Sequence, residues 1–302
     1  MKNQLPRIIV ILGPTAVGKS DIAVELALRL HGEVISADSR QVYKGLDIGT
    51  GKITGTEMKG VPHHCLDIAD PHDRFTAMDW KRAAEIAIDD ILARGKLPVI
   101  CGGTGFYIST LIDNLGFPEV DADTEEQKAL EEKPVEELFE MLKKLDPKRA
   151  LTIDLKNKRR LSRAIIIANK LGYVPPIEKP AEPKYEAIQI GLTMSNTQLK
   201  DRIFERLVKR LQNGMPDEAR KLMAAPPEGS GLTPERMDEL GLEYRYLAQY
   251  LDNKFTLEHL IDELSTKIWQ YAKRQMTWFK KDKRITWVYQ PVDLEALIKL
   301  CQ

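Results

Sequence analysis

The sequence predicts an α/β protein, a P-loop NTPase-like parallel sheet flanked by helices, with an all-helical domain inserted into it. Three observations carry that reading. An apolar, β-branched run leads straight into a glycine-rich phosphate loop, strand-like and helix-like segments then alternate, and a charged helical stretch interrupts the alternation before an apolar strand resumes.

Residues 7–12 (R-I-I-V-I-L) form a continuous apolar run, the mark of a strand covered on both faces of a parallel sheet. Ile22, Leu26 and Leu30 follow at helical spacing with Ala23 and Ala27 beside them, and His31-Gly32 closes that helix before a second strand at 33–36. After an irregular stretch come a long amphipathic helix over 76–94, a buried strand over 97–101 and a helix over 104–115. Gly116-Phe117-Pro118 breaks the pattern. The chain then reads as helical and charged, leaving through the proline-rich V-P-P-I-E-K-P-A-E-P, so 119–183 is expected to be an inserted helical domain and 1–118 with 184–302 the core. A strand over 185–192 resumes the sheet, and helices at 196–213 and 216–224 return to the core. A long helix over 256–281 carries Leu257, Leu260, Ile261, Leu264, Ile268 and Tyr271 at apolar positions, and a last strand is expected at 285–289.

Composition sets the bounds. With 302 residues, 43% of them hydrophobic and 30% charged, the chain has enough apolar material for a packed core of roughly two domains. Cys65, Cys101 and Cys301 are odd in number and irregular in spacing, which argues against a disulfide framework or a paired zinc site and for a reducing, cytoplasmic setting. The first strand starts so close to Met1 that no room is left for a signal peptide, and no apolar run is long enough for a membrane span. Adjacent side chains on a strand point apart, so His63, His64 and Cys65 do not read as a metal site.

Lys and Arg balance Asp and Glu at 45 each, but the signs are unevenly spread. Residues 119–140 hold ten acidic side chains, whereas 156–163 hold five basic ones and no acid. Residues 267–284 hold seven Lys or Arg, Lys273 and Arg274 among them, interleaved with Trp269, Tyr271, Trp278 and Phe279. Basic residues mixed with aromatics suit a polyanion such as RNA.

The chemistry starts at Gly13-Pro14-Thr15-Ala16-Val17-Gly18-Lys19-Ser20, a full match to G-x-x-x-x-G-K-[ST] placed after a strand and before a helix. Such a loop converges backbone N–H groups on an anion, Lys19 adds a full charge, and Ser20 can complete a Mg2+ shell. The motif leaves open which phosphate compound binds. At the end of the second strand Asp38, in S-A-D-S-R-Q-V-Y, stands at the ligand-binding edge of the sheet, where it could be a helix cap or a magnesium partner. C-G-G-T-G-F-Y at 101–107 ends a further strand there, with Thr104 offering a hydroxyl.

Taken together, the chain resembles the tRNA dimethylallyltransferases, also called tRNA isopentenylpyrophosphate transferases. The likeness rests on G-P-T-A-V-G-K-S, A-D-S-R-Q-V-Y, D-I-G-T-G-K at 47–52, H-H-C-L-D-I-A-D-P at 63–71, G-G-T-G-F-Y at 102–107 and Y-A-K-R-Q-M-T-W-F at 271–279, in the family's order. It implies transfer of a dimethylallyl group from dimethylallyl diphosphate to N6 of the adenosine 3′ of the anticodon in tRNA. It further implies that Gly13, Thr15, Ala16, Val17, Gly18, Lys19 and Ser20 hold the diphosphate, with Mg2+ on Ser20. Asp38 is then the base, Thr104 contacts the target adenine, and Arg202 neutralises diphosphate. Ser39, Arg40, Gln41, Arg159, Arg160 and Arg163 would touch tRNA, as would Lys273 and Arg274. The segment L-G-L-E-Y at 240–244 departs from the family spelling, and no Cys/His zinc module follows residue 284, which suits the bacterial form acting as a monomer. The rival readings are a P-loop nucleoside or nucleotide kinase, a prenyltransferase acting on free adenine nucleotides, and a non-catalytic RNA-binding protein.

Overall fold

The computed structural model describes residues 5–118, 120, 124–155, 157–177, 182–224 and 231–301. Glu119, Lys156 and part of the proline-rich exit, all used in the sequence reading, lie outside the described residues. The chain divides into one unit of Met1–Asn114 with Glu182–Gln302 and a second of Leu115–Ala181.

In the first unit β1 (Arg7–Leu12) runs into the phosphate loop, and α1 (Lys19–Arg29) leads to β2 (Gly32–Ser36). Next come α2 (Gly55–Met58), a two-residue β3 (His63–His64), α3 (Ala77–Ala93), β4 (Leu97–Gly102) and α4 (Gly105–Ile112). Thr76 opens α3 with a capping box, its side chain accepting from the Asp79 N–H while Asp79 reaches back, which is why that helix starts where the pattern predicts.

The second unit holds α5 (Thr124–Glu132), α6 (Val135–Leu145), α7 (Pro147–Ala150) and α8 (Lys158–Leu171). Leu138 and Leu142 of α6 and Leu161 and Ile165 of α8 recur every fourth residue and bury completely in its own core, with Leu130 and Ile153 beside them.

The chain re-enters the first unit as β5 (Glu186–Thr193), followed by α9 (Asn196–Gln212), α10 (Met215–Met223), α11 (Pro234–Leu240), α12 (Leu242–Leu251), α13 (Leu257–Phe279), β6 (Thr286–Tyr289) and α14 (Leu294–Cys301). The helices α11, α12 and α14 were not anticipated from the sequence.

The sheet has six strands in the order β3-β2-β4-β1-β5-β6, every pair parallel, as the α/β reading expects. Ile8 to Leu12 are fully buried at its centre, which explains their unbroken apolar run. Register fixes the site. Leu12 is level with Gly102 and Gly191, and Ser36 with Cys101, so the loops that start at Gly13, Ala37 and Gly103 leave one edge at one height. β4 lies between β1 and β2, and a crevice at the carboxyl edge is the expected consequence. Among the described residues no helix is long and apolar enough to cross a membrane.

Candidate active site

Three loops build this crevice. In the first, Gly13 has φ 145° and no room for a side chain, since a Cβ there would lie 2.5 Å from the Leu192 carbonyl oxygen. Ala16 and Gly18 also take positive φ, at 64° and 94°, so the loop curls and its amides turn inward ahead of α1. Lys19 Nζ donates to the Pro14 carbonyl at 2.7 Å. Burial lowers the Lys19 pKa to about 8, with nearby Arg206 adding to the fall and Cys101 and Asp38 opposing it. A charge held at such cost is one that a bound polyanion would relieve.

Two side chains brace the loop from outside. Arg202 Nη1 donates to the Val17 carbonyl at 3.4 Å, and Gln290 Nε2 donates to the same oxygen at 3.2 Å. One turn along α9, Arg206 approaches Gly51, and desolvation, then the like charge of Arg210, depress its pKa. Neither Gln290 nor Arg206 was singled out by the sequence reading. Ser20 is exposed at the start of α1 and hydrogen-bonds Cys101, whose thiol burial pushes up to about 12, so it stays protonated.

The second loop carries Asp38. Its Oδ1 accepts from the Arg40 N–H at 2.8 Å and the Gln41 N–H at 3.4 Å, a turn that locks the side chain. Among the described residues Oδ2 takes no hydrogen bond. The field of Asp38 reaches Lys19, Cys101, Tyr107 and Tyr271, which places the carboxylate among them. Arg40 turns away, Nη2 donating to the Glu239 carbonyl at 3.3 Å, and Gln41 Nε2 donates to the Gly51 carbonyl at 3.4 Å.

The third loop is Gly102 to Gly105. Thr104 Oγ1 accepts from the Ser39 N–H at 3.0 Å, Thr104 N donates to Ala37 O at 3.1 Å, and the Thr104 hydroxyl shares a hydrogen bond with the Tyr271 phenol. The Asp38 turn and Thr104 are thus linked through the Ser39 N–H.

A helix that reading treated as a basic surface closes the site. Tyr271, Gln275 and Trp278 stand on one stripe of α13, at i, i+4 and i+7. Tyr271 meets Thr104, Gln275 Nε2 donates to the Gly103 carbonyl at 2.9 Å, and Trp278 covers Gly105. Gln275 Oε1 also accepts the Thr15 N–H at 2.8 Å. Lys273 and Arg274 lie on the exposed side of α13, Lys273 Nζ 5.7 Å from the Trp269 ring and Arg274 5.9 Å from the Tyr271 ring.

Arg159, Arg160 and Arg163 lie on α8 in the second unit. Arg159 and Arg160 are exposed, Arg160 3.9 Å from Asp154, while Arg163 donates to the Val120 carbonyl. His63 Nδ1 contacts the Val61 carbonyl at 2.8 Å and His64 Nε2 pairs with Glu33 at 2.7 Å. Among the described residues no group of three His, Cys, Asp or Glu is arranged for a metal.

The departing segment 240–244 also has a place. Gly241 adopts φ 80° beside Arg40, Glu243 pairs with Arg210 at 3.4 Å, and Tyr244 donates to Glu218 at 2.7 Å. Glu218 in turn accepts the N–H groups of Asp47, Ile48 and Gly49 at 3.0, 2.6 and 2.9 Å, fixing the D-I-G-T-G-K loop beside the site.

Comparison with known proteins agrees with this geometry. The family model described as IPP transferase matches residues 41–282. A tRNA dimethylallyltransferase of Halalkalibacterium halodurans is 40% identical, over 93% of this chain and 90% of the relative. The crystal structure of the tRNA isopentenylpyrophosphate transferase of Bacillus halodurans is 39% identical with a TM-score of 0.70, covering 97% of this chain and 93% of that one. A eukaryotic dimethylallyltransferase, solved acting on tRNA, is 28% identical with a TM-score of 0.78, covering 94% of this chain and 74% of that one. With its phosphate loop, anchored aspartate and threonine on one sheet edge, and with likeness along nearly its whole length, the chain belongs to the IPP transferase family, the tRNA dimethylallyltransferases.

Proposed function

We propose that the chain transfers a dimethylallyl group from dimethylallyl diphosphate to N6 of the adenosine 3′ of the anticodon in tRNA, releasing diphosphate. The bond from the allylic C1 to diphosphate oxygen breaks with its electron pair leaving on oxygen, a C1–N6 bond forms, and the amino group gives up one proton. An allylic carbon parts readily from diphosphate because its growing positive charge is delocalised. The protein therefore has two tasks, to stabilise the departing charge and to aim the nucleophile.

The amides of Ala16 to Ser20, the Lys19 ammonium and Arg202 serve the first task, with Gly13 giving the loop its curl and Thr15 offering its hydroxyl, since its amide is committed to Gln275. Asp38 serves the second. With Oδ1 held by two amides, Oδ2 accepts the N6 proton while Thr104 sets the adenine edge beside it. The Ser20 hydroxyl, exposed at the start of α1, is a hard oxygen donor of the kind that Mg2+ takes alongside water and phosphate oxygens, so it fits that ion. When bound, Mg2+ neutralises charge on the diphosphate.

The target base must leave its stack to reach this edge, at a cost of about a few kcal/mol. Ser39, Arg40 and Gln41 border the entrance, and Lys273 and Arg274 on α13 and Arg159, Arg160 and Arg163 on the inserted unit hold RNA backbone. The free, buried cysteines suit a reducing cytoplasm, where the enzyme acts as a monomer without membrane attachment.

The single observation that carries the reading is the anchored carboxylate with one open oxygen, set beside an anion loop in a chain of this family. Labelled dimethylallyl diphosphate offered with unmodified tRNA or with AMP tests it. Label in RNA alone is expected, whereas label in AMP, or consumption of ATP with a nucleoside instead, overturns it.

A further inference from the structure

We propose that Gln275 is a positioning residue for the reaction, a carboxamide clamp that sets the spacing between the donor loop and the acceptor loop. The inference rests on the function proposed above. It starts from a buried polar group with both ends used. Gln275 is 7% exposed, its Oε1 accepts the Thr15 N–H at 2.8 Å, and its Nε2 donates to the Gly103 carbonyl at 2.9 Å.

Those partners sit on the two loops that must meet in the transition state. Thr15 belongs to the loop that holds diphosphate, and Gly103 precedes Thr104, which is stitched to the Asp38 turn through the Ser39 N–H. Both jobs together need a donor and an acceptor on one side chain of this length, which at neutral pH is glutamine. A carboxylate has no proton for the Gly103 carbonyl, an ammonium cannot accept the Thr15 N–H, and Asn is a methylene short. The fit is close, because a Cβ on Gly103 would lie 2.3 Å from Gln275 Nε2. A side chain at Gly103 would therefore push the carboxamide from its present place.

Both polar ends of Gln275 are taken up by the two loops, so its effect falls on the geometry of attack and not on capture. Displacing a reacting group by about 1 Å costs about 100-fold in rate. A merely structural glutamine would instead lower stability and leave the residual folded enzyme fully active.

Single-turnover transfer, donor and tRNA dissociation constants, and thermal melting are measured for wild type, Gln275→Met and Gln275→Glu. The Met variant keeps the volume and loses both hydrogen bonds. Its transfer rate at saturating substrates should fall about 100-fold, with both dissociation constants within about threefold of wild type. The Glu variant keeps the acceptor for Thr15 and opposes the Gly103 carbonyl until it is protonated. Its rate relative to wild type should recover as pH falls from 8 to 6. The charged and ionisable groups around the two loops, Lys19, Asp38, Cys101 and Tyr271, are common to both proteins, so taking the ratio removes their contribution, and circular dichroism at both pH values confirms that the same fold is compared.

A Met variant with the wild-type rate, a loss confined to melting temperature, or a Glu variant whose relative rate ignores pH each overturns the clamp. Absence of transfer by the wild type itself would instead remove the function on which the clamp rests.

Discussion

At Asp38 the backbone does what a single carboxylate needs for base chemistry. Two amides hold Oδ1, and among the described residues Oδ2 takes no hydrogen bond. Asp38→Asn keeps an oxygen for those amides but cannot take the N6 proton. Single-turnover transfer should fall by about 100-fold to 10,000-fold with little change in donor affinity. If Asp38 acted only through metal, raising Mg2+ would restore the rate, so a magnesium titration of the variant separates the two roles. Lys19 makes a second prediction. Its pKa is lowered to about 8 by burial, so the free enzyme loses this positive charge as pH rises past that value, while bound diphosphate favours the ammonium. Donor affinity should be full below about pH 8 and fall up to about tenfold per pH unit above it, as read by calorimetry. A flat profile from pH 7 to 9.5 would mean that the ammonium does not face the diphosphate.

Elements differ in how plainly the sequence announces them. β1 and β4 are unbroken apolar runs because both faces are covered, and α3 is marked by its capping box, so all three could be placed from local pattern. α11 and α12 could not. They are short, meet at Gly241 in a positive-φ turn, and are held by contacts such as Tyr244 to Glu218 that no local pattern records. The same holds for Gln275. The motif Y-A-K-R-Q-M-T-W-F drew notice to Lys273 and Arg274, whereas the helical period turns those residues outward and points Gln275 at partners 260 and 172 residues away. β2 supplies a stability test at this scale. Glu33 is 1% exposed and accepts hydrogen bonds from Arg94, Lys96 and His64, which hold its carboxyl well below the ordinary value, hydrogen bonding from Arg94 first among the causes. A depressed carboxylate stabilises the fold above its unfolded pKa of 4.5, and that contribution is lost as pH falls below it toward the folded value. Glu33→Gln should cost about 3 kcal/mol in denaturant melts at pH 7, with the gap to wild type narrowing under acid. An equal gap at pH 7 and pH 3 would contradict the assignment.

On the scale of the whole molecule, one unit holds the phosphate loop, Asp38 and Thr104, and the other carries an exposed basic helix. Arg159 and Arg160 on α8 are open to solvent and can meet phosphate, so replacing both by Ala should weaken tRNA binding and leave donor binding unchanged. The slope of log affinity against log salt should shrink by about 0.7 to 0.9 for each phosphate that the variant no longer neutralises. An unchanged slope would take α8 off the RNA. Which atom of which nucleotide is modified is read by digesting the product tRNA to nucleosides and locating the added group by mass spectrometry. One dimethylallyl group is expected on N6 of the adenosine 3′ of the anticodon, and no product from a tRNA carrying guanosine at that position. A dimethylallyl group on any other nucleotide, or continued labelling of the guanosine-substituted tRNA, would contradict it.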